Sequence, residues 1–380
     1  MDIAGGLYRE LCETPAWDAV FGSGGRAASA LAGVSPTVRL HAYVSQGPTS
    51  DAVRRLREIG VEVLEQSRTT EIAFSYLHPL SDPHIEPALE AIPQAQPLHI
   101  RADTILRFGF LEGDAVVDAG TAVFDPQTAR RQMSFRQNGS RADRLALVLN
   151  EGELRAHGGE GGLDNVARAV MAGEAADVLI LKRGAHGAAV YEGKAEPCQV
   201  PAYRSNAVFK IGTGDVFSAW FAHLWAERGL AADVAADQAS RAVAAYAETR
   251  SLPPPQRNFP PLRLSADRGR ILILGSPSTL GRRFVLEEAR HRLRAMGVEV
   301  ACPGLGDPAV APGATTAVLV VAEALQQPLD DPFTAHPGTS VVTLDETGAT
   351  VPSPGRDVCA DFTTAIYRTA WAALGDKRTG

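Results

Sequence analysis

Cysteine is scarce in this chain. The four thiols among 380 residues, Cys12, Cys198, Cys302 and Cys359, lie far apart and show no CxxC spacing. A disulfide framework and a cysteine zinc site are therefore not expected, and the thiols read as reduced and mostly packed. Positive charge is also short: 37 Lys and Arg stand against 44 Asp and Glu, a net charge of -7. Such a balance offers no basic field for duplex nucleic acid, although a local pocket of Lys and Arg can still hold one phosphate group. Long apolar runs are missing too, since no window reaches the roughly 18 residues that a membrane helix needs. The opening MDIAGGLYRE has no basic stretch followed by an apolar one. These absences predict a cytoplasmic protein with a small-molecule partner, and neither nucleic acid nor membrane.

What is present predicts an α/β protein of two domains. With 45% hydrophobic and 21% charged residues the chain can bury two cores. The sharpest compositional break is SLPPPQRNFPPLRLSADRG at 251–269, where five prolines remove backbone donors and favour extended chain. We place the domains at 1–255 and 270–380 with a proline-rich linker at 256–269. In the first, LALVLN (145–150) and DVLILK (177–182) alternate with helical stretches such as LDNVARAVMAGEA (163–175), the pattern of a parallel sheet with crossover helices. Near 69–77, Ile72, Phe74 and Tyr76 share one face at period two, predicting a half-covered antiparallel strand that could form a lid.

The densest polar signal is Lys210-Ile211-Gly212-Thr213-Gly214-Asp215, leading into the apolar SAWFAHLWAERG, a predicted helix ending at Gly229. Gly212 and Gly214 permit a tight turn at the helix start, so that N–H groups and the helix dipole point at an anion. Asp215 is placed to accept a proton from a hydroxyl attacking phosphorus, and phosphoryl transfer asks mainly for positioning and charge neutralisation. The same residues also suit a plain turn with Asp as N-cap. Upstream, Asn150-Glu151-Gly152-Glu153 follows an apolar strand. Its oxygens suit a hydrated magnesium ion, or serve as a routine helix cap.

These segments, in this order, resemble the PfkB/ribokinase family of carbohydrate and nucleoside kinases over about residues 1–255. The resemblance implies a ribokinase-like parallel sheet flanked by helices with a small β lid, ATP and Mg2+ as cofactors, and a sugar or nucleoside substrate. A homodimer joined through the lid is common in that family. By the GAGD-like match, Gly212, Thr213 and Gly214 form the anion hole and Asp215 is the catalytic base. Asn150 and Glu153 match the NxxE motif that organises magnesium through water. Lys182-Arg183-Gly184-Ala185-His186-Gly187 looks like the GxxG turn beside ATP, with Gly184 and Gly187 admitting the nucleotide and Lys182, Arg183 and Lys210 available to phosphate. His186 reads as a solvent-facing turn residue.

On the substrate side, Gly5-Gly6-Leu7-Tyr8-Arg9-Glu10 matches a Gly-Gly segment followed by a sugar-binding Asp, with Glu10 in its place. Gly22-Ser23-Gly24-Gly25-Arg26-Ala27-Ala28-Ser29 matches a GGxxxN segment in which Gly24 and Gly25 pass under the sugar, Ser29 replaces the Asn, and Arg26 adds charge at the site's edge. A carboxylate at Glu10 can accept two hydroxyl hydrogen bonds. Besides Glu10 and Ser29, Phe209 and Lys210 stand where the family has Asp-Thr. Such departures fit either an active kinase with an unusual substrate or a binding protein that has lost turnover.

From 270 onward, RILILG, a helix from about Gly281 to Met296, TTAVLVVAEAL, TSVVTLDE and DFTTAIYRTAWAAL predict a flavodoxin-like doubly wound α/β unit. Ligands in such sheets bind at the carboxyl ends of strands, which selects Gly275, Ser276 and Pro277. The strand, Gly-x-Pro turn and helix loosely resemble nucleoside 2-deoxyribosyltransferases, and imply a third reading, an N-glycosidic-bond enzyme. The catalytic Glu of that family has no counterpart here; Asp330, Asp331 and His336 are the acidic and basic groups in the region.

Overall fold

Two runs without a polar interruption, Leu145–Leu149 and Val178–Leu181, lie at the heart of the largest sheet, because a strand buried on both faces has no solvent side to alternate with. The computed structural model describes residues 1–127, 134–265, 269–308, 310, 315–322, 338–348 and 356–375. By backbone contacts these form two units. The first comprises Met1–Arg183, Gly187–Tyr203 and Lys210–Phe259, and the second Gly184–His186, Arg204–Phe209 and the described part of Pro260–Gly380. No helix among the described residues is long and apolar enough to cross a membrane.

In chain order the first unit holds β1 (Asp2–Ala4), β2 (Arg9–Cys12), β3 (Trp17–Val20), α1 (Gly22–Leu31), β4 (Val38–Val44), α2 (Pro48–Glu58), β5 (Val61–Ser67), β6 (Ala73–Tyr76) and β7 (His84–Glu86). It continues with β8 (Leu98–Phe108), β9 (Ala115–Asp125), β10 (Arg141–Asn150), α3 (Glu151–Gly158), α4 (Leu163–Glu174), β11 (Val178–Lys182), β12 (Ala188–Glu192), β13 (Cys198–Val200), α5 (Thr213–Ala222) and α6 (Ala232–Thr249). Nine strands make one sheet in the order β13-β12-β11-β10-β9-β8-β1-β4-β5. It is parallel from β5 to β11, and β12 and β13 add an antiparallel edge. Helices flank it, with α1 against α5 and β4, and α5 against α6. Phe124, Phe135, Leu147, Met171 and Leu179 belong to its main core.

A second sheet of this unit, ordered β3-β2-β6-β7, corresponds to the small β element foreseen near 69–77. The expected half-covered strand is present and pairs antiparallel with β7, but on its other side β6 runs parallel to β2. Periodicity reports which side chains share a face and is blind to the direction of the neighbour. Helix α5 likewise differs from its expected span, ending at Ala222 and continuing through Glu227 as a π turn.

The second unit carries β14 (Arg270–Leu274), α7 (Leu280–Ala295), β15 (Glu299–Ala301), β16 (Ala317–Val321), β17 (Ser340–Leu344), β18 (Arg356–Cys359) and α8 (Phe362–Leu374). All five strands are parallel, in the order β15-β14-β16-β17-β18. This is the 2-1-3-4-5 order of doubly wound flavodoxin-like sheets. Leu272, Val318, Val320 and Val341 fill its core. His186, expected to face solvent, is half-buried in this unit with Nε2 2.8 Å from the Met296 carbonyl oxygen.

Candidate active site

The parallel strands deliver their carboxyl ends to one place. A cavity of about 500 Å³ is lined there by Tyr8 beyond β1, Phe110 beyond β8, Gln127 beyond β9, Asn150 at the end of β10 and Lys182 at the end of β11. The small sheet supplies Glu10, Phe74, Tyr76 and Ile85, and α5 supplies Gly212, Gly214 and Asp215. Open α/β sheets bind ligands at such ends, where the direction of winding reverses. Here the chain winds outward on both sides of β1.

The turn into α5 keeps its amides available. Gly212 is the N-cap at φ 76°, in the left-handed region that favours glycine, and no side chain caps the helix. Asp215 sits in the first turn and caps nothing. No acceptor among the described residues takes the Gly214 or Asp215 amide, whereas Thr213 N–H donates to the Lys210 carbonyl at 3.3 Å and Val216 N–H to Gly212 at 3.1 Å. Lys210 lies against the same turn, its Nζ donating to Thr213 Oγ1 at 2.7 Å. Burial, reinforced by repulsion from Lys182 and opposed by Asp215, lowers the Lys210 ammonium to about 8. An incoming anion would relieve that penalty.

Arg26 is the largest surprise. It was expected at the edge of the site, yet it is only 1% exposed. Its Nη1 donates to Asp215 Oδ2 and to Glu10 Oε1, each at 2.9 Å, and its Nη2 donates to Glu10 Oε2. The Nε donates to Tyr246 Oη at 3.1 Å, and Tyr246 in turn donates to the Ile211 carbonyl at 3.0 Å. Glu10 Oε1 also accepts the Gly22 amide at 3.2 Å. Thus the carboxylate expected to meet substrate hydroxyls already holds a guanidinium and a helix amide. Asp215 keeps Oδ1 without a partner among the described residues. Burial, opposed by Arg26 and assisted by Glu10, raises the Asp215 carboxyl to about 6.

A second charge cluster faces the first. Asp125, fully buried, accepts from Lys182 Nζ at 2.7 Å and from Ser218 Oγ at 2.6 Å. Although burial disfavours its charge, Asp125 and Glu153 hold the Lys182 ammonium above its ordinary range. Asn150 and Glu153 form a reciprocal capping box at the start of α3: Asn150 Oδ1 accepts the Glu153 amide at 2.8 Å and Glu153 Oε2 accepts the Asn150 amide at 2.7 Å. Both nevertheless line the cavity, so the cap and a place in the site coexist. Burial, opposed by Lys182 and assisted by Asp125, raises the Glu153 carboxyl to about 7. No group of three or more His, Cys, Asp or Glu suited to a metal occurs among the described residues. With Asn150 Oδ1 and Glu153 Oε2 engaged by the cap, a magnesium ion here would be met through water.

The remaining expected residues lie elsewhere. Ser29 donates its hydroxyl to the Gly25 carbonyl at 2.8 Å, one turn back along α1, and does not line the cavity. Gly24 and Gly25 serve close packing: a Cβ on Gly24 would come within 2.5 Å of the Gly5 carbonyl oxygen, and one on Gly25 within 2.6 Å of Leu7. The Thr213 hydroxyl donates to the Lys210 carbonyl at 3.0 Å. Arg183 pairs with Gln199, and Gly184 and Gly187 bracket a short turn at positive φ; none of the three lines the cavity. Gly275, Ser276 and Pro277 form a partly buried loop after β14, while Asp330, Asp331 and His336 lie outside the described residues.

Sequence reasoning missed Tyr8, Asp125, Ser218 and Tyr246. Asp125 had a signal, a carboxylate closing the run AVVDAGTAVFD just before Pro126. Tyr246 had none, because only folding brings α6 against α5.

No family model and no curated protein matches the sequence. Among solved structures the chain is similar to a ribokinase from Thermotoga maritima, at 18% identity and TM-score 0.48 over 66% of this chain and 94% of that one. It is similar to a Methanocaldococcus jannaschii nucleoside kinase at 14% identity and TM-score 0.49, over 66% and 93%. The figures for a Vibrio cholerae fructokinase are 14% and 0.46, over 66% and 94%.

Proposed function

We propose that this chain is a phosphotransferase that moves the γ-phosphoryl group of ATP to a hydroxyl of a sugar or nucleoside, with Asp215 as base. The observation that carries this reading is the start of α5, where available backbone amides and an Asp carboxylate with one unpartnered oxygen meet Lys182 in a single cavity, with Lys210 braced against the same turn. Asp215 Oδ1 takes the proton of the acceptor hydroxyl as its oxygen bonds to the γ-phosphorus. The bond from that phosphorus to the bridging oxygen breaks, and ADP leaves with the electron pair. A carboxyl near pH 6 is largely ionised at neutral pH and remains basic enough to share the proton. The amides of Gly214 and Asp215, with Lys210 and Lys182, receive phosphate charge. Asn150 and Glu153 would hold magnesium through water, and the ion would supply further charge neutralisation on the phosphates.

The Arg26 bridge favours a second reading, a nucleotide or sugar-phosphate binding protein without turnover, because it occupies one oxygen of the base and both oxygens of Glu10. One experiment separates the two. ATP consumption is followed across a panel of nucleosides and sugars, with melting temperature recorded on the same samples. A kinase turns over at least one acceptor, and Asp215→Asn lowers that rate by roughly 10²–10⁴-fold while ATP still raises the melting temperature. Unchanged turnover in Asp215→Asn sinks the assignment of the base. Ligand-induced stabilisation without ATP consumption supports the binding protein.

A further inference from the structure

The buried Arg26 has no part in the phosphotransfer step proposed above, yet it touches the proposed base directly. We propose that Arg26 is a positioning residue: held by Glu10 and Tyr246, it pins Asp215 Oδ2, leaves Oδ1 toward the cavity and keeps the carboxyl ionised. The inference rests on the reading of Asp215 as base.

The geometry supports it from three sides. The Nη1 atom bridges the two carboxylates, 2.9 Å from each, so Asp215 cannot rotate without breaking a charge-assisted hydrogen bond. Glu10 grips both terminal nitrogens, and Tyr246 fixes Nε at 3.1 Å and is itself anchored on the backbone just before Gly212. The guanidinium also lies 5.1 Å from the centre of the Phe21 ring. Arg26 is thereby held on all sides and is not left free to follow a ligand.

Charge supplies the second half. Two buried carboxylates without a cation between them cannot both stay ionised, and one retains a proton. Without Arg26, Asp215 and Glu10 would be such a pair, and a protonated Asp215 cannot accept a proton from substrate. Without the Glu10 charge, Arg26 would act on Asp215 alone and deepen its ionisation. The other titratable groups facing Asp215 are Tyr76 from β6, Tyr246 from α6, Asp125 from β9, Glu153 from α3, Lys182 from β11 and Lys210 just before α5. The substitutions below leave these residues in place, while Tyr76 and Tyr246 themselves feel the charges of Arg26 and Glu10.

The two substitutions must therefore shift Asp215 in opposite directions, which a merely structural role would not produce. The test labels the full chain with carboxyl-¹³C aspartate and titrates it by NMR, identifying Asp215 by the signal lost in Asp215→Asn. Relative to the unmodified chain, Arg26→Met is expected to raise the midpoint by about one unit or more and Glu10→Gln to lower it by about one unit. Arg26→Lys, which keeps the charge without the fork, is expected to fall between Arg26→Met and the unmodified chain. Equal midpoints, or shifts of one sign in Arg26→Met and Glu10→Gln, would overturn the proposal. Should Arg26→Met lack a cooperative thermal transition, Glu10→Gln and Arg26→Lys decide alone: a fall in the first with a rise in the second supports it, any other pair overturns it. The titration needs neither ATP nor acceptor. Absence of turnover on every acceptor would thus remove the kinase reading without touching the measured effect of Arg26.

Discussion

Helices α1 and α5 both begin at a glycine in the left-handed region, Gly22 at φ 60° and Gly212 at φ 76°, and neither start has a side-chain cap. On the sequence they look like twin ligand-binding turns. In the fold they differ. At α1 the Gly22 amide goes to Glu10 and the Gly24 amide to the Gly6 carbonyl at 3.0 Å, so the turn is partly closed by its own protein, although Gly22 and Ser23 still line the cavity. At α5 the Gly214 and Asp215 amides meet no acceptor among the described residues, and a cavity stands before them. A glycine-rich helix start is a ligand site only where its donors are left over, and neighbouring elements decide that.

Substitutions at the two helix starts test the contrast. The largest effect is expected at Asp215. Its folded carboxyl titrates near 6 against 3.8 unfolded, so the native chain binds more protons between those values and loses stability as pH rises through them. The melting temperature of Asp215→Asn relative to the unmodified chain should therefore climb from pH 4 to about pH 6 and then level off; a difference independent of pH would contradict the buried ionised base. Next comes the closed turn. A Cβ at Gly24 meets the Gly5 backbone, which cannot swing aside, so Gly24→Ala should cost about 1–3 kcal/mol of stability in chemical denaturation. An unaffected midpoint would show that α1 is not packed as described.

At the open turn, Lys210→Met should weaken ATP binding by about tenfold, as expected for loss of one charge-assisted hydrogen bond, without lowering the melting temperature at pH 7. Because the Lys210 ammonium sits near 8 rather than 10.5, its charge costs stability below pH 8, and that cost fades as pH rises toward 10.5. Any gain in stability from Lys210→Met should fade over the same interval, and calorimetry at pH 7 and pH 10 checks it. The smallest effect on stability is expected for Gly214→Ala. The new Cβ would find Lys182 Nζ at an ordinary 3.6 Å, so stability should change by less than about 0.5 kcal/mol while ATP affinity falls. A loss of stability matching that of Gly24→Ala would erase the distinction between the two helix starts.

Much of the scaffold was legible in the sequence. Runs such as LALVLN and DVLILK announced buried parallel strands, and the helices at 163–174 and 280–295 followed their patterns closely. Of the candidate site, Gly212, Gly214, Asp215, Asn150, Glu153, Lys182, Glu10 and Arg26 do line one cavity. Ser29 does not, because the hydroxyl of a short side chain within a helix bonds most readily to a carbonyl one turn back. Nor does Arg183, which pairs with Gln199 across the antiparallel edge of the sheet.

Local sequence dictates which residue types stand at the ends of strands and the starts of helices, since periodicity, glycine and capping chemistry act over a few neighbouring residues. Which of those groups are already satisfied follows from how the elements pack. Glu10 and Asp215 are 205 positions apart, and whether either can meet a ligand depends on Arg26, a third residue that packing places between them. Hydrogen-bond capacity is shared among groups that meet in space, and spatial neighbours far apart along the chain leave no local pattern in it.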